Sequence, residues 1–265
     1  MELPGGVWRE GNLRRDFAFH ELSGHLELAI SEGFSGTEPL PVRVSTALAA
    51  CLEHLGGEAA EAGQVHDLSV GDRQFLVRQL SKVLGLNEIW LTARCGQCEA
   101  YFDLQVDQAR LPAKAAGKGF PFANVKTSAG KLRFRVPTGA DQEAAGAVES
   151  DGESVLFLVR RLVVENGRDG AAVEALSERD LKKIEAALEV AAPEVTTLVQ
   201  AACPECGHVN QVGVDPYSCL EAQGESLLSE VHLLASKYHW SESEILSLPW
   251  ERRKKYLVLV ERAGG

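Results

Sequence analysis

The sequence has no long apolar run, and none approaches the roughly 18 residues that a membrane-spanning helix needs. Its first residues, Met1 to Arg9, also lack the basic stretch followed by an apolar one that marks a secretory signal. The sequence therefore predicts a protein of the cytoplasm. The chain has 265 residues, 45% of them hydrophobic and 25% charged, which is ordinary for one large or two smaller globular domains.

Basic residues are comparatively scarce. The chain carries 27 Lys and Arg against 38 Asp and Glu, for a formal charge of −11. Proteins that coat nucleic acid bind it through clustered basic residues. This composition therefore argues against nucleic acid as a partner, and a membrane is not expected as a partner either. The balance favours protein partners for a soluble chain.

The familiar motifs of catalysis are missing as well. The sequence contains no Gly-x-Ser-x-Gly, no P-loop and no dinucleotide-binding glycine pattern. Its seven histidines form no closely spaced ligand set, and its carboxylates are scattered in the manner of a solvated surface. We therefore predict no catalytic residues and no organic cofactor, and do not expect an enzyme.

Cysteine carries the one strong chemical signal. Four of six cysteines form two Cys-x-x-Cys steps, Cys95-Gly-Gln-Cys98 and Cys203-Pro-Glu-Cys206, each between two short apolar runs. Strand, two-cysteine turn and strand is typical of half a zinc ribbon. In a chain without a signal peptide, metal is favoured over disulfides. The four thiolates predict a structural Zn²⁺ site, because a catalytic zinc keeps one position for water. A redox dithiol and an iron–sulfur cluster remain alternatives.

The other two cysteines stand apart from these steps. Cys51 lies in an apolar helical stretch, and Cys219 follows Asp215-Pro-Tyr-Ser218. Both are interpreted as small buried apolar residues. His208, two residues beyond Cys206, is either a solvated strand residue or a residue that supports a metal ligand.

The spacing of the two steps indicates a hidden repeat. Cys203 lies 108 positions after Cys95, whereas a compact ribbon has about 15–20 residues between its pairs. A shift of 108 also aligns the helix N-cap Ser69 with Ser177 and the strand-ending Asp107 with Asp215. The match runs without a gap over 40 positions, which indicates an internal duplication. The predicted metal then joins two copies of one unit, as in an isologous dimer within one chain.

These patterns predict an α+β fold. Internally duplicated helix–strand–zinc-knuckle–strand units pair into one split zinc-ribbon body, followed by a three-helix segment. The similarity of Val42–Ala47 to Phe134–Gly139, at an offset of 92, predicts that the repeat extends upstream. The apolar segment Ser154 to Val164 is then an insertion in the second copy. The expected domains are a flexible arm (1–16), a first repeat (17–131), a second repeat (132–220) and a C-terminal helical segment (221–265).

Several stretches together resemble one known family, the baseplate hub assembly proteins (chaperones) of T-even-like contractile phages, also found in contractile injection systems. The resemblance covers nearly the whole chain beyond residue 17, and its most specific part is the final helical block. It rests on Val65-His-Asp-Leu-Ser-Val-Gly-Asp-Arg73, the two cysteine steps, Arg135-Val-Pro-Thr-Gly-Ala-Asp141, Glu230 to Leu246 and Arg252-Arg-Lys-Lys-Tyr-Leu257.

The resemblance implies a non-enzymatic structural or assembly protein of a contractile tail or injection-system baseplate. Hub, spike or tape-measure proteins are its expected partners. It would reside in the cytoplasm of a bacterial or phage-infected cell, or in the assembled particle. Trp240 and Trp250 are expected to offer a docking surface. The alternative is a zinc-ribbon regulator that binds nucleic acid through Arg252 to Lys255, although such a run is more often one polar helix face.

Overall fold

The computed structural model describes residues 1–34, 36–146, 151–165, 171–218 and 223–264. The fold is mixed α+β, which confirms the predicted class. Its helices are α1 Gly24–Phe34, α2 Leu40–Cys51, α3 Ala62–Asp67, α4 Val70–Val83, α5 Gly139–Ala145, α6 Asp151–Leu162, α7 Ala171–Glu174, α8 Glu178–Ala191, α9 Gln223–Tyr238, α10 Glu242–Leu246 and α11 Trp250–Gly264. Its strands are β1 Glu2–Arg9, β2 Asn12–Phe19, β3 Leu52–Leu55, β4 Glu58–Ala59, β5 Glu88–Arg94, β6 Tyr101–Asp107, β7 Ala113–Lys114, β8 Phe122–Thr127, β9 Gly130–Arg135, β10 Val163–Glu165, β11 Glu194–Val195, β12 Leu198–Ala202 and β13 Val209–Gly213.

The chain forms two compact units, and each draws on both halves of the sequence. The first comprises Met1–Phe17, His54–Leu76 and Leu111–Thr196; the second comprises Ala18–Glu53, Val77–Arg110 and Thr197–Gly265. The boundaries expected from the repeat, at 17–131 and 132–220, do not coincide with these units. The reason is that the two cysteine-bearing segments belong to one unit although they lie far apart in sequence.

The N-terminal residues form strands instead of the expected flexible arm. Strands β1 and β2 pair in a hairpin and continue into a sheet of order β1-β2-β3-β4. Two glycines help to hold the hairpin: the backbone N–H groups of Gly5 and Gly6 donate to the carboxylate of Asp72 at 2.7 and 3.1 Å. Gly6 has a φ of +112°, a conformation that residues with a side chain rarely adopt.

The rest of the first unit packs a helix against an antiparallel sheet of order β10-β9-β8. Strand β8 lies within the stretch expected to form the first repeat, where the sequence patterns did not predict a strand. Its buried residues alternate with exposed ones, as expected for a half-buried strand. The buried core under α8 is formed by Val125, Leu132, Phe134, Val159, Leu162, Val173 and Ile184.

Capped helices begin both aligned segments, as the aligned serines predict. The N–H of Asp72 donates to Ser69 Oγ at 3.1 Å, and the N–H of Asp180 donates to Ser177 Oγ at 3.3 Å. In both segments the serine hydroxyl in turn donates to the aspartate at 2.7 Å. These reciprocal bonds satisfy backbone donors that the first turn of a helix leaves free.

The predicted upstream extension of the repeat is wrong. Val42–Ala47 lies in the helix α2, whereas its supposed counterpart begins in strand β9 and ends in the cap of α5. Pro41, near the start of α2, suits the first turn of a helix, and β9 is held extended by pairing with β8. A short sequence similarity therefore adopts two different structures.

The C-terminal segment forms three helices, α9 to α11, in the second unit. Ser241 and Glu244 make the predicted capping box of α10. The shared core comprises Leu227, Val231, Leu234, Ile245, Leu246, Leu257 and Val260. Beside it Arg253, fully buried, donates to Glu27 at 2.5 Å and to Glu230 at 3.1 Å. A buried guanidinium of this kind requires such partners, because desolvation without them is costly.

Candidate metal centre

The first cysteine step is the turn of the β5–β6 hairpin. The strands pair in strict register from Glu88↔Asp107 to Arg94↔Tyr101. Beyond the last pair, the N–H of Cys95 donates to the Ala100 carbonyl at 2.9 Å and the N–H of Glu99 donates to the Cys95 carbonyl at 3.1 Å. Glu99 has a left-handed φ of +63°, which closes the knuckle.

The second step repeats this turn on the β12–β13 hairpin. The N–H of Cys203 donates to His208 at 2.8 Å, and the N–H of Gly207 donates to Cys203 at 2.9 Å. Gly207 has a φ of +72°. The strands also share a register: Leu91 pairs with Leu104, as Val199 pairs with Val212. Each of these features lies 108 positions after its counterpart.

The two knuckles bring their four sulfur atoms together. Cys95 Sγ lies 3.6 Å from Cys206 Sγ, Cys98 Sγ lies 3.7 Å from Cys203 Sγ, and all four atoms lie within 4.8 Å of one another. Four sulfurs around one Zn²⁺, each at about 2.3 Å, are about 3.8 Å apart. The geometry therefore fits a single tetrahedral ion held by the four predicted cysteines.

The backbone supplies positive dipoles to these sulfurs. The N–H of Gln97 lies 3.4 Å from Cys95 Sγ, and the N–H groups of Ala100 and His208 donate to Cys98 and Cys206. The backbone N–H of Cys98 is the main cause that lowers the pKa of Cys95 to about 6, and that of Gln97 assists it. At neutral pH Cys95 can thus present thiolate, the form that binds metal. At Cys98 the Ala100 N–H also lowers the pKa, but the hydrogen bond with Cys206, burial and the other two sulfurs outweigh it and raise that pKa to about 12.

A buried asparagine links the two knuckles. Asn210 Oδ1 accepts from the Gly96 N–H at 2.9 Å, while its Nδ2 donates to the His208 carbonyl at 3.0 Å and lies 3.8 Å from Cys95 Sγ. The residue 108 positions earlier is the buried Phe102, so the two hairpins differ at this point. Sequence reasoning missed Asn210, although a polar residue at an inward-facing strand position beside a cysteine is a usable signal.

The metal centre has a small apolar surround of its own. Its buried members come from both hairpins: Ala93, Cys95, Phe102, Cys203 and Val212. Cys95 and Cys203 are buried, whereas Cys98 and Cys206 are exposed. One side of the cluster is thus shielded from solvent, and the other side borders solvent.

The arrangement limits the chemistry of the site. Four cysteines already supply the four ligands that Zn²⁺ takes in structural sites, which leaves no coordination position for a substrate. The sulfurs lie too far apart for a disulfide, whose S–S length is about 2 Å. They also lie too close together to surround a four-iron cluster, whereas one ion fits between them.

The remaining predicted residues lie elsewhere or outside the described chain. Cys51 is buried in α2 as expected, and burial raises the pKa of its thiol to about 12. Cys219 falls outside the described residues. The His208 side chain is exposed, and its backbone rather than its ring supports the knuckle.

Comparisons with models of protein families, with curated proteins and with solved structures found no match to this chain. What the fold and site define is therefore a class: a mixed α+β protein whose four clustered cysteines can hold a metal ion. Within the described residues, no helix combines the length and the apolar character needed to cross a membrane.

Proposed function

We propose that this chain is a non-enzymatic structural or assembly protein of a contractile tail or injection-system baseplate, stabilised by one Zn²⁺. The observation that carries the structural role is the closed cluster of four sulfurs, which joins two hairpins far apart in sequence. In this proposal the two hairpins are the ends of duplicated units, and the metal clasps the copies into one split zinc ribbon. The recurrence of register, turn hydrogen bonds and φ angles at a shift of 108 supports the duplication.

The placement in a baseplate rests on the sequence resemblance, and the packing of the resembling stretches is consistent with it. Val65–Arg73 and Arg135–Asp141 lie against each other within the first unit. The N–H of Val70 donates to Pro137 at 3.1 Å, and the N–H of Gly139 donates to Leu68 at 3.0 Å. These residues form an internal framework of backbone contacts, as expected for residues that maintain a scaffold rather than perform a reaction.

A buried ion-pair cluster belongs to the same framework. Asp141 has no exposed side-chain surface and accepts from Arg135 at 2.7 Å, from Arg161 at 3.0 Å and from the Thr138 N–H at 3.0 Å. Burial opposes ionisation of this carboxyl, but the Arg135 and Thr138 donors prevail and lower its pKa to about 2. Two guanidiniums share this one carboxylate, and all three charged side chains make contacts within the fold.

The nucleic-acid alternative loses support from the C-terminal helices. Of the run Arg252 to Lys255, Arg253 is buried in its ion pairs with Glu27 and Glu230, and Lys254 also pairs with Glu230. Arg252 and Lys255 are exposed, which is a small basic footprint on a chain of charge −11.

The two tryptophans of the expected docking surface also make contacts within the chain. Trp240 stacks on Tyr238 at 4.8 Å between ring centroids and meets Tyr256 edge-on at 4.9 Å. Lys254 lies 5.7 Å from the centre of the Trp250 ring. Both rings make contacts within the chain and remain partly exposed, so only part of each ring is open to a partner.

The test is a pull-down with tagged full-length protein from cells that express the neighbouring tail genes, carried out in parallel on untreated lysate and on nuclease-treated lysate. Recovery of hub, spike or tape-measure proteins after nuclease treatment is the expected result. Recovery of DNA without any tail protein, and its loss on neutralising Arg252 and Lys255, would instead establish the nucleic-acid alternative.

A further inference from the structure

An open apolar groove lies between α6 and α8 in the first unit. Its cavity has a volume of about 620 Å³, within the range of binding pockets. The α6 wall presents a stripe at helical spacing: Val155, Leu158, Val159 and Leu162. The α8 wall presents Leu181, Ile184 and Leu188. Val155 is 50% exposed, so apolar surface at the groove mouth is in contact with water.

The groove exists because α6 and α8 pack on one core and leave space between them. Helix α6 covers most of the apolar stretch Ser154 to Val164. The interpretation of this stretch as an insertion depended on the upstream extension of the repeat, which the structure contradicts. Val159 and Leu162 of α6 are buried in the core that also contains residues of β8, β9 and α8. Leu158 and Leu181 are only partly buried, because the two helices leave a gap between them. Helix α6 thus forms one wall of an apolar cleft.

The rim of the groove is acidic. Along α8, four charged residues follow one another at spacings of three or four, which places them on one edge: Glu178, Lys182, Glu185 and Glu189. Three of the four are carboxylates. Glu178, Glu185 and Glu189 are exposed, and the described part of the chain offers none of them an ion-pair partner. The nearby cations of α6 are already engaged, since Arg160 pairs with Glu174 and Arg161 with Asp141.

We propose that this groove binds an amphipathic helix of a partner protein, with an apolar stripe flanked by Lys or Arg. The stripe on α6 spans about two helical turns, which matches three anchors at i, i+3 or i+4, and i+7 on the incoming helix. The flanking basic residues pair with Glu178, Glu185 and Glu189. An assembly protein needs a surface that binds a partner, and this groove supplies one. In that respect the inference rests on the proposed function.

The test measures binding of fluorescent peptides to the full-length, zinc-loaded protein by anisotropy. Each peptide has about 18 residues, or five helical turns. The first carries a Leu stripe with Lys flanks, the second the same stripe with Glu flanks, and the third has the composition of the first with its Leu residues dispersed. We expect saturable binding of the first peptide, at least tenfold tighter than that of the other two, and weaker as salt rises.

Variants localise the binding site. Glu185→Lys should weaken the Lys-flanked peptide about fivefold, since an exposed ion pair contributes up to about 1 kcal/mol. Its matched control is Glu53→Lys, the same charge change at an exposed residue of the second unit. Val155→Asp should weaken binding at least about tenfold, because it places a carboxylate against the apolar stripe. Val258→Asp, at a valine 43% exposed on α11, is the control and should bind as the unaltered chain does.

Three results would overturn the proposal. One is equal affinity for Lys-flanked and Glu-flanked peptides. Another is concentration-dependent dimerisation that Val155→Asp abolishes, which would make a second copy the occupant. The third is binding of a small apolar dye in the groove while all three peptides fail to bind. Because the assay uses no tail protein, it can fail while the pull-down recovers a hub component, so the two proposals are separable.

Discussion

Replacing one cysteine should show whether the clustered thiols bind a metal or are only buried side chains. The perturbation is Cys203→Ser, which removes one of four sulfurs spaced for a tetrahedral ion. The control is Cys51→Ala, at a buried thiol in α2 that is not part of the sulfur cluster. Both variants lose one buried sulfur, and they differ in whether that sulfur faces the other three.

The size of the effect follows from the geometry of the cluster. Structural Zn²⁺ sites in small domains contribute about 10–16 kcal/mol of apparent binding free energy. The four sulfurs are of one kind and nearly evenly spaced, so each accounts for about a quarter. Loss of one then costs about 3 kcal/mol, a weakening of zinc binding on the order of 100-fold. A serine hydroxyl does not replace it, since it stays protonated at neutral pH.

The structural consequence should be local. Each hairpin alone is a two-stranded sheet, which is marginally stable in water. The surround of the metal centre has five buried residues and is distinct from the seven-residue core of the C-terminal helices. Zinc removal should therefore disorder the knuckles while most helical circular dichroism persists.

The assay combines metal analysis of protein purified under reducing conditions with competition by a chromophoric chelator. The unaltered chain and Cys51→Ala should each hold one equivalent of zinc, and Cys203→Ser should release its metal to the chelator at about 100-fold lower concentration. An unaltered chain free of zinc, or a Cys203→Ser chain that retains it as firmly as the control, would refute the reasoning.

Three further substitutions test the framework. Asn210→Ala should weaken zinc binding about tenfold or more in the same competition, because it removes hydrogen bonds that hold the Cys95 knuckle. Asp141→Asn should lower the free energy of unfolding by about 2 kcal/mol at pH 7, because the folded pKa of about 2 lies below the unfolded value of about 3.9. That difference is present above pH 4 and fades as the pH falls towards 2, which urea titrations at several pH values will measure. Gly139→Ala should destabilise by about 1–3 kcal/mol in urea, since its Cβ would lie 2.0 Å from the Arg73 guanidinium.

Each of these expectations has a contradicting outcome. Unchanged zinc affinity in Asn210→Ala would mean that the knuckles hold their geometry without the asparagine. A stability loss in Asp141→Asn that persists undiminished at pH 2 would show that packing, and not the charge of the carboxylate, is responsible. Full stability of Gly139→Ala would mean that the Arg73 side chain shifts freely, contrary to its complete burial.

Local sequence patterns predicted the capped helices and the cysteine turns well, since their determinants lie within a few residues. The Ser241–Glu244 box and the spacing of Cys95 and Cys98 are examples. The same approach failed for the N-terminal hairpin. Gly5 and Gly6 indicate a loose arm unless the distant Asp72 carboxylate that accepts their N–H groups is known. It failed again for Val42–Ala47, where similarity of side chains did not determine the backbone.

The sequence by itself determined the four candidate metal ligands, because a Cys-x-x-Cys turn and a shift of 108 positions are properties of residue type and spacing. Only the tertiary structure decided that the four sulfurs meet within 4.8 Å, that Asn210 bridges the two knuckles, and that Arg253 is buried rather than available to a nucleic acid. Likewise, the gap between α6 and α8 depends on how two helices of the first unit pack on one sheet. Local patterning specifies which face of each element is apolar, but the packing of the elements decides which of those faces remains open.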